Sequence, residues 1–588
     1  MGRITYIIRI YICAILVLLF FAYIGSWMYY VQIVRNQELY SKAKKVYTTV
    51  KNKKGERGRI FDYSGNLIVG NIPCADLVAD PKITGNDEQC KDAARLLAVR
   101  LKMPALEIFE SLSVKKRGDF EIRYKVIRKD LTLEAAKDIQ NLIRKNNLKG
   151  IFIEEKTRRF YPKGELLSNI VGITNNCGDT IKPVNGIEKA FNESLTPTKV
   201  RNIYERDIKG VPFSYGKKEI FHERNGSDIF LTIQEPLQLI VEEELENLVK
   251  EFKPRSAYAI MADPYTGNIL AMAQRPTFNP NNRKNITPDM WRDRFLTDVF
   301  EPGSTMKTFP VSGALDYCVV TPNTMFDCER GRWAYAGKIL RDSHPEGVLS
   351  VTDIIKVSIN IGTAKIALLL GEKRLYHVLK RFGFGQKTGI PIEPESVGQF
   401  KKLSNWDKLS ITRFPIGQGI SCTPIQLVRA YCAIANGGNL VKMRLVDREQ
   451  NPDTGEIVFK EIPPPTKVFL RDDTCEKIKA MLKLVTREGG TGIKARVPGY
   501  DVAGKTGTSQ KWVDGAYSGT LFFATFVGFV PADNPAFVLL VMADEPKGNH
   551  YGGVVSAPTF RRIAEKALRF LNIPPQYPEE IKELSKVN

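Results

Sequence analysis

Histidine is nearly absent from this chain of 588 residues: His222, His344, His377 and His550 are all it has, and they are scattered. A Ser-His-Asp triad and a histidine-bound zinc are both left without support. The nine cysteines are too few for a disulfide scaffold and form no C-x-x-C. Cys318 and Cys328, ten apart across the turn-like stretch VVTPNTMFD, are open to bonding in an oxidising compartment and equally to remaining two thiols. Internal repeats and low-complexity linkers are missing too, and only a charged tail, 574–588, follows the last apolar stretch.

What is present describes a folded chain tethered to a membrane. Hydrophobic residues at 43% and charged residues at 26% are the balance of a globular protein, and the length suits two or three domains. From Ile10 to Val34 no residue is charged. About 25 residues at helical rise reach roughly 37 Å, enough to cross a bilayer. The run is longer than a signal-peptide core and ends in Trp27, Tyr29 and Tyr30, as an interfacial belt would. We therefore read an uncleaved anchor over 10–34 behind a cytoplasmic tail of 1–9. Arg3 and Arg9 precede the span, whereas Arg35, Lys42, Lys44, Lys45, Lys51, Lys53 and Lys54 follow it. That charge count opposes export of the body, but large domains translocate largely regardless of charge. The net charge of +21 suits anionic lipid or an acidic wall polymer as well as nucleic acid, and no aromatic-basic motif favours the last.

After the anchor, RGRIFDYSGNLIVG reads as a hairpin around Tyr63–Asn66. DEQCKDAARLLAVRL and LTLEAAKDIQNLIRKN carry apolar residues at helical spacing, the second starting at Thr132. From Gly150, GIFIEEKTRRFYPKGELLSNIVG returns to strand, so 35–225 reads as a mixed α/β domain without a catalytic cluster. A second domain, 226–573, opens with the strand DIFLTI and a helix that has Pro236 in its first turn and stops at Pro254. AYAIMA with ILAMA, and TLFFATFVGFV with AFVLLVMA, read as hairpins on either side of a helix-rich insertion, and a last helix begins at Pro558. The expected fold class is α+β: an antiparallel sheet with a helical subdomain, preceded by a mixed domain and a single transmembrane helix.

Candidate chemistry gathers at EPGSTMKTFP, residues 301–310. Serine stands three before lysine four times: Ser41 with Lys44, Ser113 with Lys116, Ser214 with Lys217, and Ser304 with Lys307. Only Ser304, after Pro302 and Gly303, opens an apolar helical run, which places Lys307 one turn away on the same face and free N–H groups beside the hydroxyl. Ser-x-Asn occurs at Ser64–Asn66, explained by its turn, and at Ser358–Asn360, on a bend between two apolar helical runs. Lys-Thr-Gly occurs at 387–389, in a loop, and at 505–507, on an edge strand with Lys505, Gly507 and Ser509 on one face and Thr506 and Thr508 on the other. Gly507 would let a substrate backbone approach.

The order Ser304–Lys307, Ser358–Asn360, Lys505–Gly507 resembles the S-x-x-K, S-x-N and K-T-G motifs of penicillin-binding proteins and serine β-lactamases. RGRIFDYSGNLIV and RRFYPKGELLSNIVG resemble the pedestal of the class B penicillin-binding proteins. MADPYTGNILAMAQRPTFNPN, GQGISCTPIQLVRAYCAIANGG and YGGVVSAPTF resemble their catalytic half. RDSHPEGVLSVTDIIKVSINIG is similar to division-type enzymes. Gln234 and Lys189 depart from the family's usual Asp and Gly.

The resemblance implies a cofactor-free, metal-free peptidoglycan D,D-transpeptidase, inhibited by β-lactams and anchored in the cytoplasmic membrane with its body outside. It implies Ser304 as nucleophile, Lys307 as base, Ser358 as proton relay and Asn360 as holder of the substrate amide. Lys505, Thr506 and Thr508 would take the terminal carboxylate, Gly507 would admit the substrate, and the N–H groups of Ser304 and Thr508 would form the oxyanion hole. No glycosyltransferase segment separates anchor and catalytic half, so a partner glycan polymerase and other division proteins are implied. An elongation-type enzyme, a tethered D,D-carboxypeptidase or β-lactamase, and a catalytically silent scaffold are the rivals.

Overall fold

The computed structural model describes residues 2–50, 55–113, 116–117, 120–177, 180–198, 203–205, 225–469 and 471–581. The chain packs as two units, one of 1–56 with 197–226, the other of 57–196 with 227–588. In the first, Gly2–Tyr29 is one helix continued by a π-helical turn over Tyr30–Val34. Tyr6–Val34 is long and apolar enough to cross a membrane, with mean hydropathy 2.6 over its most apolar 18 residues. The helix begins before Ile10 because nothing in GRITYIIR breaks it. A further helix, Asn36–Tyr47, follows, and Thr48–Val50 pairs antiparallel with Ile203–Glu205. Ser214 and Lys217 lie outside the described residues.

The second unit is built on two large sheets, with five two-stranded pairs beside them among the described residues. In the larger, the hairpin Ile60–Phe61 and Leu67–Ala79 forms as expected, with Asp62 Oδ1 accepting the Asn66 N–H at 2.7 Å in the turn. Leu67–Ala79 also pairs with Lys125–Leu131 and with Ile151–Phe160. Ile60–Phe61 runs parallel to Asp228–Leu231, which pairs with Val446–Gln450, and Ile457–Phe459 closes that edge. Helices Asp87–Leu101 and Leu133–Lys145 lie where their periodicity places them, and Thr132 caps the second. The strand expected from Gly150 ends at Phe160, however. Pro162 and Gly164, with φ +63°, turn the chain, and Ser168–Val171 is a single helical turn, so GELLSNIVG is not strand.

The other sheet is antiparallel, in the order Ile269–Arg275, Ser256–Ala262, Phe537–Asp544, Ala516–Val530, Ala503–Val513. Ser256–Ala262 is buried throughout. Ala257, Ala259 and Met261 face helices Glu235–Phe252 and Ala557–Phe570, while Tyr258, Ile260 and Ala262 face the helical insertion. A strand covered on both sides has no polar face, hence the unbroken AYAIMA. Ala503–Val513 is left at the edge, beside the insertion. Cys318 and Cys328 are both free thiols.

Glu188 binds this unit together from within. Its carboxylate accepts from Arg57 Nε and Arg159 Nε, both at 2.7 Å, and all three side chains are buried. Glu188→Ala should therefore cost about 3–5 kcal/mol of stability, because two guanidinium groups would be left buried and unpaired. A denaturant titration of the detergent-solubilised protein with an unmoved midpoint would contradict this.

Candidate active site

Gly303, at φ +54°, adopts a conformation that L side chains pay for, and a Cβ on it would lie 3.1 Å from Ser509 Cβ. Gly417 crowds it from another direction, where a Cβ would come 2.3 Å from Gly303 O. So constrained, Gly303–Lys307 is a 3₁₀ turn, and the α-helix that the sequence places at Ser304 begins only at Thr308. Pro310 favours the tighter turn, having no N–H for the Met306 carbonyl four residues back. Side chains three apart eclipse in a 3₁₀ turn, so Ser304 and Lys307 still leave the same side. Within the turn Ser304 alone is partly exposed.

Lys307 is fully buried. Its Nζ donates to the Ser358 carbonyl at 2.5 Å and to Ser358 Oγ at 3.2 Å. No Ser304–Lys307 hydrogen bond forms among the described residues; the amine donates to Ser358 instead. Ser358 lies on the expected bend, between helices Val351–Lys356 and Asn360–Leu370, with φ +64°, a strained value for serine. Its Oγ also accepts from Lys505 Nζ at 2.8 Å, so one hydroxyl stands between two buried amines.

Burial pushes the amine of Lys307 down to about 7, against the pull of Asp342, whose charge favours the ammonium. Burial also carries Lys505 well below the ordinary lysine range, and the charge of Lys307 pushes the same way. Asp342 is itself raised by burial, opposed by the Asn360 N–H, by Lys307 and by the Ile361 N–H. Its carboxylate accepts both of those N–H groups at the start of the Asn360 helix, Ile361 at 3.2 Å. Asn360 Nδ2 donates to Arg341 O at 2.9 Å.

Ala503–Val513 keeps the expected alternation. Lys505 reaches Ser358, and Gly507 faces the 3₁₀ turn so closely that a Cβ would lie 2.9 Å from Thr305 Cγ2. On the other face Thr506 Oγ1 meets Thr491 Oγ1 at 2.8 Å, and Thr508 Oγ1 accepts the Gly552 N–H at 3.1 Å. The second Lys-Thr-Gly is a loop in which Thr388 bonds Glu395. The sequence reading assigned no role to Asp342, Thr491 or Tyr431, whose OH donates to Thr305 O at 2.9 Å and props the turn. Tyr431 and Asp342 lay inside stretches quoted for the resemblance, and Thr491 follows the Gly489–Gly490 pair.

A partly exposed serine in the same turn as one of two buried amines, with no histidine among these contacts, is an arrangement suited to acyl transfer with an amine as base. Residues 257–565 match the penicillin-binding protein transpeptidase domain and residues 52–231 the penicillin-binding protein dimerisation domain. The chain is 31% identical over 573 residues to peptidoglycan D,D-transpeptidase FtsI of Escherichia coli, covering 96% of this chain and 91% of that one. It is also 31% identical over 560 residues to stage V sporulation protein D of Bacillus subtilis, covering 95% and 84%. Penicillin-binding protein 3 of Mycobacterium tuberculosis, solved with aztreonam, superposes with TM-score 0.68 at 25% identity, over 89% of this chain and 98% of that one. The chain belongs to the class B penicillin-binding proteins and is a membrane-anchored, serine-type peptidoglycan D,D-transpeptidase.

Acylation by a fluorescent penicillin should slow about tenfold per pH unit below about 7, as Lys307 takes a proton. Asp342→Asn removes a charge that favours the ammonium, so the acid limb should move to lower pH. A rate profile over about pH 5 to 9 that leaves the limb in place, or raises it, would show that Asp342 does not act on Lys307.

Proposed function

We propose that Ser304 is the nucleophile and that the convergence of Lys307 and Lys505 on Ser358 is what activates it. Neutral Lys307 takes the Ser304 proton as Oγ attacks the penultimate D-alanine carbonyl of a stem peptide. The N–H groups of Ser304 and Thr508 hold the oxyanion. Collapse breaks the peptide bond, the proton passes through Ser358 to the leaving D-alanine amine, and an ester on Ser304 remains. The amine of a second stem peptide then attacks that ester, its proton returns to Ser304 through Lys307, and the product is a crosslinking amide. Lys505, Thr506 and Thr508 receive the terminal carboxylate, Gly507 admits the substrate, and Asn360 orients its amide. The half-buried Ser304 in an otherwise buried turn is the observation that carries this assignment.

The body acts outside the cytoplasmic membrane, where peptidoglycan lies, and a glycan polymerase must supply its strands. We assign it to septal synthesis with other division proteins, on the likeness of RDSHPEGVLSVTDIIKVSINIG to division-type enzymes and on the relative named FtsI. The boundaries 35–225 for the pedestal and 226–573 for the transpeptidase belong to the same proposal.

Ser304→Ala should abolish gel labelling by a fluorescent penicillin and abolish crosslinking, with the fold retained. Labelling that survives in the variant would place the nucleophile elsewhere, and rapid turnover of penicillin by the parent would point to a β-lactamase.

A further inference from the structure

A cleft of about 700 Å³ opens between strands Lys125–Leu131 and Ile151–Phe160 on one side and the 280–284 segment on the other. The walls are fastened together: Asn281 Nδ2 donates to Tyr161 O at 2.8 Å, the Tyr161 N–H donates to Asn281 Oδ1 at 3.1 Å, and Arg283 Nη1 donates to Thr174 O at 2.7 Å. Ser304, Ser358 and Lys505 do not line it.

Its charge is lopsided. Lys156 is matched by Asp76 at 2.7 Å, and Arg159 by Glu188. Among the described residues, Arg283 hydrogen-bonds to neutral acceptors alone, namely the carbonyls of Thr174 and Pro280 and the side chain of Asn175. The side chains of Lys129, Arg158 and Lys284 make no hydrogen bond or ion pair among the described residues. Among the described lining residues the acids are Asp76, spent on Lys156, and Asp130, which faces these four cations. A concave wall of one sign focuses its field on the space inside. Tyr124, whose OH donates to Glu154 Oε2 at 2.7 Å, Asn175, whose Oδ1 accepts from Arg283 at 3.1 Å, and Asn282 add hydroxyl and amide groups, which suit a sugar or peptide better than they suit a bare anion.

We propose that this cleft is a second binding site for an uncrosslinked peptidoglycan strand, whose stem-peptide carboxylates meet Lys129, Arg158, Arg283 and Lys284. The ligand's identity rests on the transpeptidase reading; the cleft and its charge do not. The site holds a strand by a part remote from the reacting carbonyl, and so keeps the enzyme on its polymer between acyl transfers.

The test uses full-length protein in detergent, its active serine first blocked with penicillin so that strands cannot occupy the catalytic centre. Affinity for soluble, uncrosslinked strands is compared between the parent and the triple variant Lys129→Gln, Arg158→Gln, Lys284→Gln. Loss of three charge contacts, two of them exposed and one partly buried, should weaken binding about tenfold, while penicillin acylation stays within about twofold of the parent. Amidating the strand carboxylates should weaken binding to the parent similarly. Equal binding by parent and variant overturns the proposal, as does inorganic polyphosphate binding the parent as tightly as strands do. If the triple variant fails to acylate, Lys284→Gln alone carries the test, and strand affinity unchanged from the parent again overturns it. A parent that penicillin does not acylate would sink the transpeptidase reading instead.

Discussion

The amine of Lys307 is shut away from water and left one strong acceptor, the Ser358 carbonyl at 2.5 Å, with the Ser358 hydroxyl beside it. A lysine so placed loses the solvation that makes an ammonium stable, and its proton becomes exchangeable near neutrality. Lys505, equally buried and bonded to the same hydroxyl, makes a second positive charge there costly. The rest of the catalytic half can be understood as the frame that keeps these groups dry and converging. Tyr431 props the turn, Asp342 pins the start of the Asn360 helix, and a left-handed serine joins two helices at the bend.

Close backbone approach supplies the rigidity. Gly303, Gly417 and Gly507 let the turn, the loop before helix Pro424–Ala435 and the edge strand come nearer than any Cβ would allow. The position of Ser304 is thereby set by steric contact on several sides. Such a centre meets its substrate already assembled, which is where electrostatic preorganisation gains its effect.

Much of this was legible in the residues. Unbroken apolar runs flanking turns located the strands of the catalytic half, which are covered on both sides, and period-3.6 patterns located the helices after Asp87 and Thr132, each of which buries one continuous face. Three motifs in order singled out Ser304, and the structure brings Lys307 of its turn together with Ser358 and Lys505 of the other two. The stretch after Phe160 misled because its apolar residues pack a turn and one helical turn, too short for any period to show. The 3₁₀ turn was also hidden, since Gly417, which crowds it, lies more than a hundred residues away. Asp342 escaped for the same reason: a carboxylate that caps a helix 18 residues later leaves no local trace.

The larger sheet orders its strands against the order of the chain. Ile60–Phe61 lies beside Asp228–Leu231, which waits for Val446–Gln450 and then for Ile457–Phe459. During synthesis, the first of these strands has emerged while its distal neighbours, nearly four hundred residues on, do not yet exist. Until they arrive the nascent chain carries an open hydrogen-bonding edge, the kind of surface that captures other strands. A protein built this way depends on protection through most of its own translation, and truncations that end before residue 459 should be prone to aggregate even where they spare every residue of the N-terminal half.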